Sequence, residues 1–239
     1  MIVFQGLEKK YGEFEAVKPV HFEVKAGEVF GFLGPNGAGK TTTIRMLMGI
    51  LVPSGGTVSI DGLDCVADSV EVKKRIGYLP DDPIFYDYLR GREMLEFVAE
   101  VHGLPKKEAH ARAGELLKEF GLDEAAEEFA VNYSMGMKKR LGLAMALIHK
   151  PKVLILDEPI NGLDPRGAHE IQSKLKAFAE AGGTVFLSTH LLAMAEKICN
   201  RVCILDHGEV KAVDSVSNLR EQWQPGGSLE DIFLKVVEK

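Results

Sequence analysis

The sequence predicts an α/β fold built around a parallel sheet, and three observations carry that expectation. Short, wholly apolar bursts recur along the chain, and segments with one-face helical periodicity lie between them. No linker rich in Gly, Pro or Ser separates the chain into independent parts, and no internal repeat or low-complexity tract is present. A strand covered on both faces reads as an unbroken apolar run, because neither face meets water. With 239 residues, 46 % hydrophobic and 27 % charged, the chain can bury a full core, which excludes disorder as its general state.

In chain order, Glu28-Val-Phe-Gly-Phe-Leu33 reads as a buried strand and Lys40 to Ile50 as the helix after it. Ile76 to Pro80 is strand-like. From about Gly91 to Lys150 the rhythm breaks: Glu93 to His102, Lys107 to Phe120 and Ser134 to His149 are helical in pattern with no strong strand among them, so a helical insert is expected there. Val153 to Leu156, Thr184 to Ser188 and Arg201 to Leu205 restore the apolar bursts as central parallel strands, with Arg166 to Glu180 and Leu191 to Cys199 as crossover helices. Asp206-His-Gly208 turns the chain into a hairpin partner at Glu209 to Val213, and Leu229, Ile232, Phe233 and Val236 fall on one face of a tail helix.

The 29 Lys and Arg against 35 Asp and Glu leave a formal charge of −6, which argues against neutralising a nucleic-acid backbone as the main task. No apolar run approaches the roughly 20 residues that a membrane-spanning helix needs. The start, Met1-Ile-Val-Phe-Gln-Gly-Leu-Glu-Lys-Lys10, has its charges after its apolar stretch and no small-residue cleavage site, so it does not read as a signal peptide. Three cysteines cannot all pair, and Cys199 and Cys203 lack partners at zinc-site spacing, so reduced thiols in the cytoplasm are expected.

Gly34-Pro-Asn36-Gly37-Ala38-Gly39-Lys40-Thr41 fits G-x-x-x-x-G-K-[ST] between a predicted strand and a predicted helix. Glycines let backbone N–H groups face into a concave nest, the helix adds its positive end, and together they hold a β-phosphate. Lys40 reaches the β- and γ-phosphates, and the Thr41 hydroxyl is placed to ligate Mg²⁺. This loop alone leaves kinases, GTPases and motor ATPases open. Val153-Leu-Ile-Leu-Asp157-Glu158 supplies a second site, where Asp157 leaves a buried strand to hold Mg²⁺ through water and Glu158 can polarise attacking water. An N-K-x-D guanine-reading motif is missing from the sequence.

Upstream, Tyr133-Ser134-Met135-Gly136-Met137-Lys-Lys-Arg opens a long helix whose free N–H groups make an anion site. With these three elements in order, the chain resembles ABC-type ATPases, the nucleotide-binding components of ATP-driven transporters. The family signature is usually L-S-G-G-Q, of which Ser134 and Gly136 are kept and the rest replaced by Tyr133, Met135 and Met137. The resemblance spans nearly the whole chain. It implies a P-loop NTPase (RecA-like) core with an antiparallel β subdomain and a helical subdomain inserted at about 87–150, followed by a helical tail at about 216–239, all within one ATPase domain over 1–239.

Further residues follow from the resemblance. Tyr11 is similar to the aromatic that stacks on adenine, and Gly34, Asn36, Gly37, Ala38, Gly39, Lys40, Thr41 and Thr42 form the phosphate loop. Asn161-Gly-Leu-Asp164 resembles the D-loop, and His190 the switch histidine on the γ-phosphate. Where relatives place a Gln that touches Mg²⁺ and the attacking water, this chain has Asp81, shorter and anionic, which reaches the metal through a water. Metal ligation thus falls to Thr41, Asp81 and Asp157, and catalysis to Lys40, Glu158 and His190.

In the family's pattern Ser134 and Gly136 of one subunit close the ATP held by Lys40 and Thr41 of another, so a second ATPase subunit, identical or different, is implied. A separate integral membrane subunit is implied too, docking at Pro83 to Leu89, where Phe85, Tyr86 and Tyr88 concentrate aromatic area. The ending Ser228 to Lys235 is similar to that of the exporter branch. The alternative is a soluble, non-transport ATPase of this type acting on nucleic acid or ribosomes, but heptad arms, zinc inserts and a second fused ATPase half are lacking in the sequence.

Overall fold

A computed structural model describes residues 1–237. The chain opens with strands β1 (Ile2–Tyr11), β2 (Phe14–Val24) and β3 (Val29–Leu33), then helix α1 (Lys40–Leu47). Strands β4 (Gly55–Ile60) and β5 (Leu63–Asp64), helix α2 (Ser69–Lys73) and strand β6 (Ile76–Leu79) follow. Three helices come next, α3 (Gly91–Val101), α4 (Lys106–Glu119) and α5 (Met135–Leu147). The last third alternates: β7 (Val153–Asp157), α6 (Pro165–Glu180), β8 (Thr184–Thr189), α7 (Leu192–Ile198), β9 (Arg201–Asp206), β10 (Glu209–Ser215), α8 (Val216–Trp223) and α9 (Leu229–Val237).

The chain divides into two compact units, one of Met1–Lys73 with the described chain from Leu175 on, the other of Lys74–Lys174. In the first, β2, β1, β4 and β5 form an antiparallel sheet. Its strands escaped the sequence reading because their alternation is broken: the β1 pairing slips between Gln5 and Leu7, around Gly6 at φ +64°. The antiparallel subdomain that the resemblance implied is therefore present, while its boundaries had no periodic signal.

In the same unit β3 lies between β8 and β9, parallel to both, and β10 runs antiparallel to β9 as the expected hairpin. Phe4 and Phe22 stack at 4.3 Å, Phe22 stacks on Phe30 at 5.2 Å, and Phe30 and Phe32 meet Phe186 at 5.9 and 5.4 Å. These aromatic contacts fasten the antiparallel sheet to the parallel strands. The tail face also forms: Leu229, Ile232 and Val236 are buried with Leu33, Val202 and Ile204, and Phe233 packs against that cluster half-buried.

Helix α1 is shorter than expected. It stops at Leu47 because Gly49 adopts φ +63°, with Gly49 N–H bonded to Met46 O at 3.0 Å and Ile50 N–H to Arg45 O at 2.9 Å. That pair of bonds is the left-handed glycine stop of a helix, and a Cβ on Gly49 would lie 2.1 Å from the Cys65 carbonyl.

In the second unit β6 and β7 pair in parallel, Leu79 opposite Leu156. Helix α5 presses onto β6 so closely that a Cβ on Gly77 would sit 2.0 Å from Ala146 O. Ala109, Ala113, Leu116 and Leu117 bury one stripe of α4, at the spacing that marked it as helical. Phe85 is 8 % exposed and belongs to this core, which corrects its expected place on a docking surface; Ile84 and Tyr88 stand 88 % and 85 % exposed. All three cysteines are free. Among the described residues no helix is long and apolar enough to cross a membrane.

Candidate nucleotide site

Strand β3, buried at every position, delivers the glycine loop of the first unit. Gly34 must lack a side chain: its Cβ would fall 2.4 Å from Leu205 O. Gly39, the residue before α1, adopts φ +106° and ψ 3°, and its Cβ would lie 2.7 Å from Ala16 O. The loop is pinned where Gly208 N–H donates to Ala38 O at 3.0 Å and Ala38 N–H to Pro35 O at 3.2 Å. No side chain caps the start of α1, and the amides of a helix's first turn have no partner within the helix, which suits an anion.

Lys40 is buried, and its ammonium donates to Gly34 O at 2.7 Å and Pro35 O at 3.1 Å. A cation held by carbonyls at the mouth of an amide nest is poised to exchange them for phosphate oxygens, which carry full charge. Asn36, Gly37 and Thr41 are exposed and Thr42 is half-buried. The glycine loop held tightly against Ala16 and Leu205, the helix start that no side chain caps and the buried lysine together fit a polyphosphate.

His190 is exposed directly after β8, and the parallel register sets Leu33 opposite Thr189, so Gly34 and His190 leave adjacent strand ends. Thr189 Oγ1 accepts the Leu191 N–H at 3.0 Å, which shapes the turn after the histidine. Tyr11 ends β1 half-exposed, with Lys9 Nζ 5.3 Å from its ring centroid.

In the second unit Asp157 and Glu158 are buried at the end of β7. Glu158 takes φ +48°, unusual for a residue with a side chain. The β6–β7 register brings Asp81 out beside this turn. Lys139, on α5, is the functional candidate that sequence reading missed. Its side chain is 4 % exposed, and its ammonium donates to Glu158 O at 2.9 Å, to Asp81 O, and to Asp81 Oδ1 at 3.2 Å. Inside a Lys-Lys-Arg run it reads as solvated, yet it shares the buried α5 face with Leu143 and Ala146, four and seven residues on.

Ser134 caps α5, its Oγ accepting the Met137 N–H at 3.3 Å. Tyr133, where the family signature has Leu, donates to Ala125 O at 2.6 Å, and its hydroxyl leaves room at Gly91 for hydrogen only. Asp164 Oδ1 accepts the Gly167 N–H at 2.8 Å and so caps α6. Ser134, Gly136, Arg140, Leu163 and Asp164 line one cavity of about 900 Å³, which brings the signature-like helix tip and the D-loop-like segment together. Among the described residues no group of three or more His, Cys, Asp or Glu could hold a metal.

A family profile described as "ABC transporter" matches residues 17–161. An ABC transporter ATP-binding protein of Bacillus subtilis, YxlF, is 42 % identical over 94 % of this chain and 74 % of its own length. The daunorubicin resistance ATP-binding protein DrrA3 of Streptomyces coeruleorubidus is 39 % identical over 98 % of this chain and 73 % of its own. The dimeric structure of MJ0796, a bacterial ABC transporter cassette, superposes with a TM-score of 0.83 at 28 % identity, covering 90 % of this chain and 99 % of that one.

Proposed function

The chain belongs to the ABC transporter family as an ATP-binding, ATP-hydrolysing subunit, and from that premise we propose that it drives substrate export through a separate membrane subunit, by ATP-dependent closure with a second ATPase subunit. The glycine cradle at Gly34 and Gly39, with Lys40 at the helix start, is the observation that carries the reading. The likeness to a drug-resistance ATP-binding protein supports export. The dimeric cassette supports pairing, with an identical or a different partner. The working place is the cytoplasmic face of the membrane; nucleic acid is no partner, and the acidic balance supports that.

In this reading the whole chain is one ATPase domain with a helical insert at about 87–150 and a helical tail at about 216–239, whose last two residues lie outside the described ones. Tyr11 stacks on adenine; the loop from Gly34 to Thr42 wraps the phosphates; Ser134 and Gly136 meet the γ-phosphate on the partner subunit. Glu158 accepts a proton from water as the water oxygen attacks the γ-phosphorus, and ADP and phosphate leave. His190 holds the γ-phosphate oxygen. Mg²⁺ suits the oxygen donors present, the exposed Thr41 hydroxyl and the Asp157 carboxylate, with Asp81 acting through a water. When bound it neutralises charge on the β- and γ-oxygens.

Purified protein with ATP and Mg²⁺ tests this. Glu158→Gln should keep nucleotide affinity, lose about 10²- to 10⁴-fold in turnover and accumulate as an ATP-bound dimer. Lys40→Ala should lose affinity. Turnover unchanged in Glu158→Gln removes its assigned role, and normal ATP binding by Lys40→Ala ends the reading.

A further inference from the structure

We propose that Lys139 is a positioning residue for hydrolysis: its buried ammonium ties the Asp81 loop to the Glu158 carbonyl and fixes the backbone from which the Glu158 carboxylate projects. The inference rests on the role given to Glu158 above. A lysine almost never sits at 4 % exposure without full compensation, and here the three ammonium protons meet three oxygens, Asp81 O, Asp81 Oδ1 and Glu158 O. None of the three comes from α5 itself. The residue is thus placed to join two loops that the parallel β6–β7 register leaves side by side.

The Glu158 backbone explains why such a tie is needed. At φ +48° a residue bearing a Cβ holds a sparsely populated conformation, which persists only where its surroundings over-determine it. Two donors converge on the Glu158 carbonyl, Lys139 Nζ at 2.9 Å and the Asn161 N–H at 3.2 Å. The charged donor is the stronger of the two. Removing it loosens the peptide that follows Glu158, and the strained backbone at φ +48° that aims the carboxylate loses its charged restraint. A carboxylate that must meet one water molecule cannot tolerate that, since a misplacement of about 1 Å costs on the order of 10²-fold in rate.

The same geometry accounts for the acidic residue at position 81. A neutral amide there would leave the buried ammonium without its counter-charge, whereas Asp81, with 52 % of its side chain exposed, supplies one while keeping a face to solvent. Helix α5 carries Ser134 at its tip and Lys139 on its inner face, so a movement of the helix that closes on a partner's nucleotide also pulls on the Asp81 and Glu158 loops.

Lys139→Met keeps the length and apolar stem of the side chain and removes the ammonium. At saturating Mg²⁺ its kcat should fall at least about ten-fold while KM for ATP and the affinity for ATP stay within about two-fold, the split expected when only the transition state is misaligned. In nucleotide-free protein the Asn161 amide should exchange at least about ten-fold faster, because the carbonyl that holds it is no longer fixed. Wild-type kcat in folded Lys139→Met, or an Asn161 amide protected as before, overturns the proposal. If Lys139→Met does not fold, Asp81→Asn carries the test: a several-fold fall in kcat at saturating Mg²⁺ with unchanged KM supports the tie, and unchanged kcat overturns it. Failure of the parent reading looks different, since Glu158→Gln would then turn over like wild type while Asn161 exchange still reports the hold of Lys139.

Discussion

Replacing Gly39 and Gly37 separately by Ala asks whether the phosphate loop is shaped by steric contact or by backbone freedom alone. Both glycines have positive φ, +106° and +81°, so an alanine at either meets the strain of a left-handed conformation, about 1 kcal/mol. At Gly37 nothing lies within 4 Å of the added Cβ, so the cost ends there. At Gly39 the Cβ would lie 2.7 Å from Ala16 O and 3.3 Å from Val17 Cγ2, and a backbone carbonyl in a sheet cannot yield as a flexible side chain does. Overpacking of this kind adds about 2 kcal/mol, giving about 3 kcal/mol in all for Gly39→Ala. In a chain of this size each kcal/mol moves the melting midpoint by about 2–4 °C. Thermal unfolding of the ligand-free proteins should therefore show a fall of about 6–12 °C for Gly39→Ala and about 2–4 °C for Gly37→Ala. Equal shifts in the two variants refute the steric account, and a larger shift for Gly37→Ala reverses it.

The exposed Tyr86 and Tyr88 should act differently from the buried Phe85: replacing both tyrosines by Ala should weaken co-purification with the membrane subunit without altering ATP affinity, whereas Phe85→Ala should cost about 3 kcal/mol of stability in denaturant titrations. The His102 and His149 rings stack at 3.6 Å, and burial, together with the neighbouring imidazole, pushes His149 down to about 4. A base whose folded pKa lies below its ordinary value of 6.5 contributes stability above that value and loses it as pH falls toward about 4. Discounted for partial exposure, the loss between pH 7 and pH 5 should be about 1 kcal/mol, and it should shrink in His149→Phe; an unchanged acid limb in that variant assigns the loss to other groups.

Much of this protein was determined by local sequence. The strands β3, β7 and β8 are buried throughout and β9 is buried past its first residue, Arg201, and a run such as Val153-Leu-Ile-Leu156 has no other way to satisfy itself than between two covered faces. The glycine loop was equally legible, because a nest of amides depends on residues adjacent in the chain and on the helix that directly follows. What depends on contacts between distant segments was hidden. Strands β1 and β2 carry bulges that erase their alternation, and only pairing shows them. Phe85 and Tyr86 are neighbours in sequence with opposite fates, since burial is decided by what packs over each side chain. Lys139 could not be told from Lys138 by composition; the Asp81 loop and the Glu158 turn, 58 and 19 residues away, make it a buried tie. Short-range chemistry is written in spacing, whereas the partner of a long side chain exists only once the tertiary fold has brought it there.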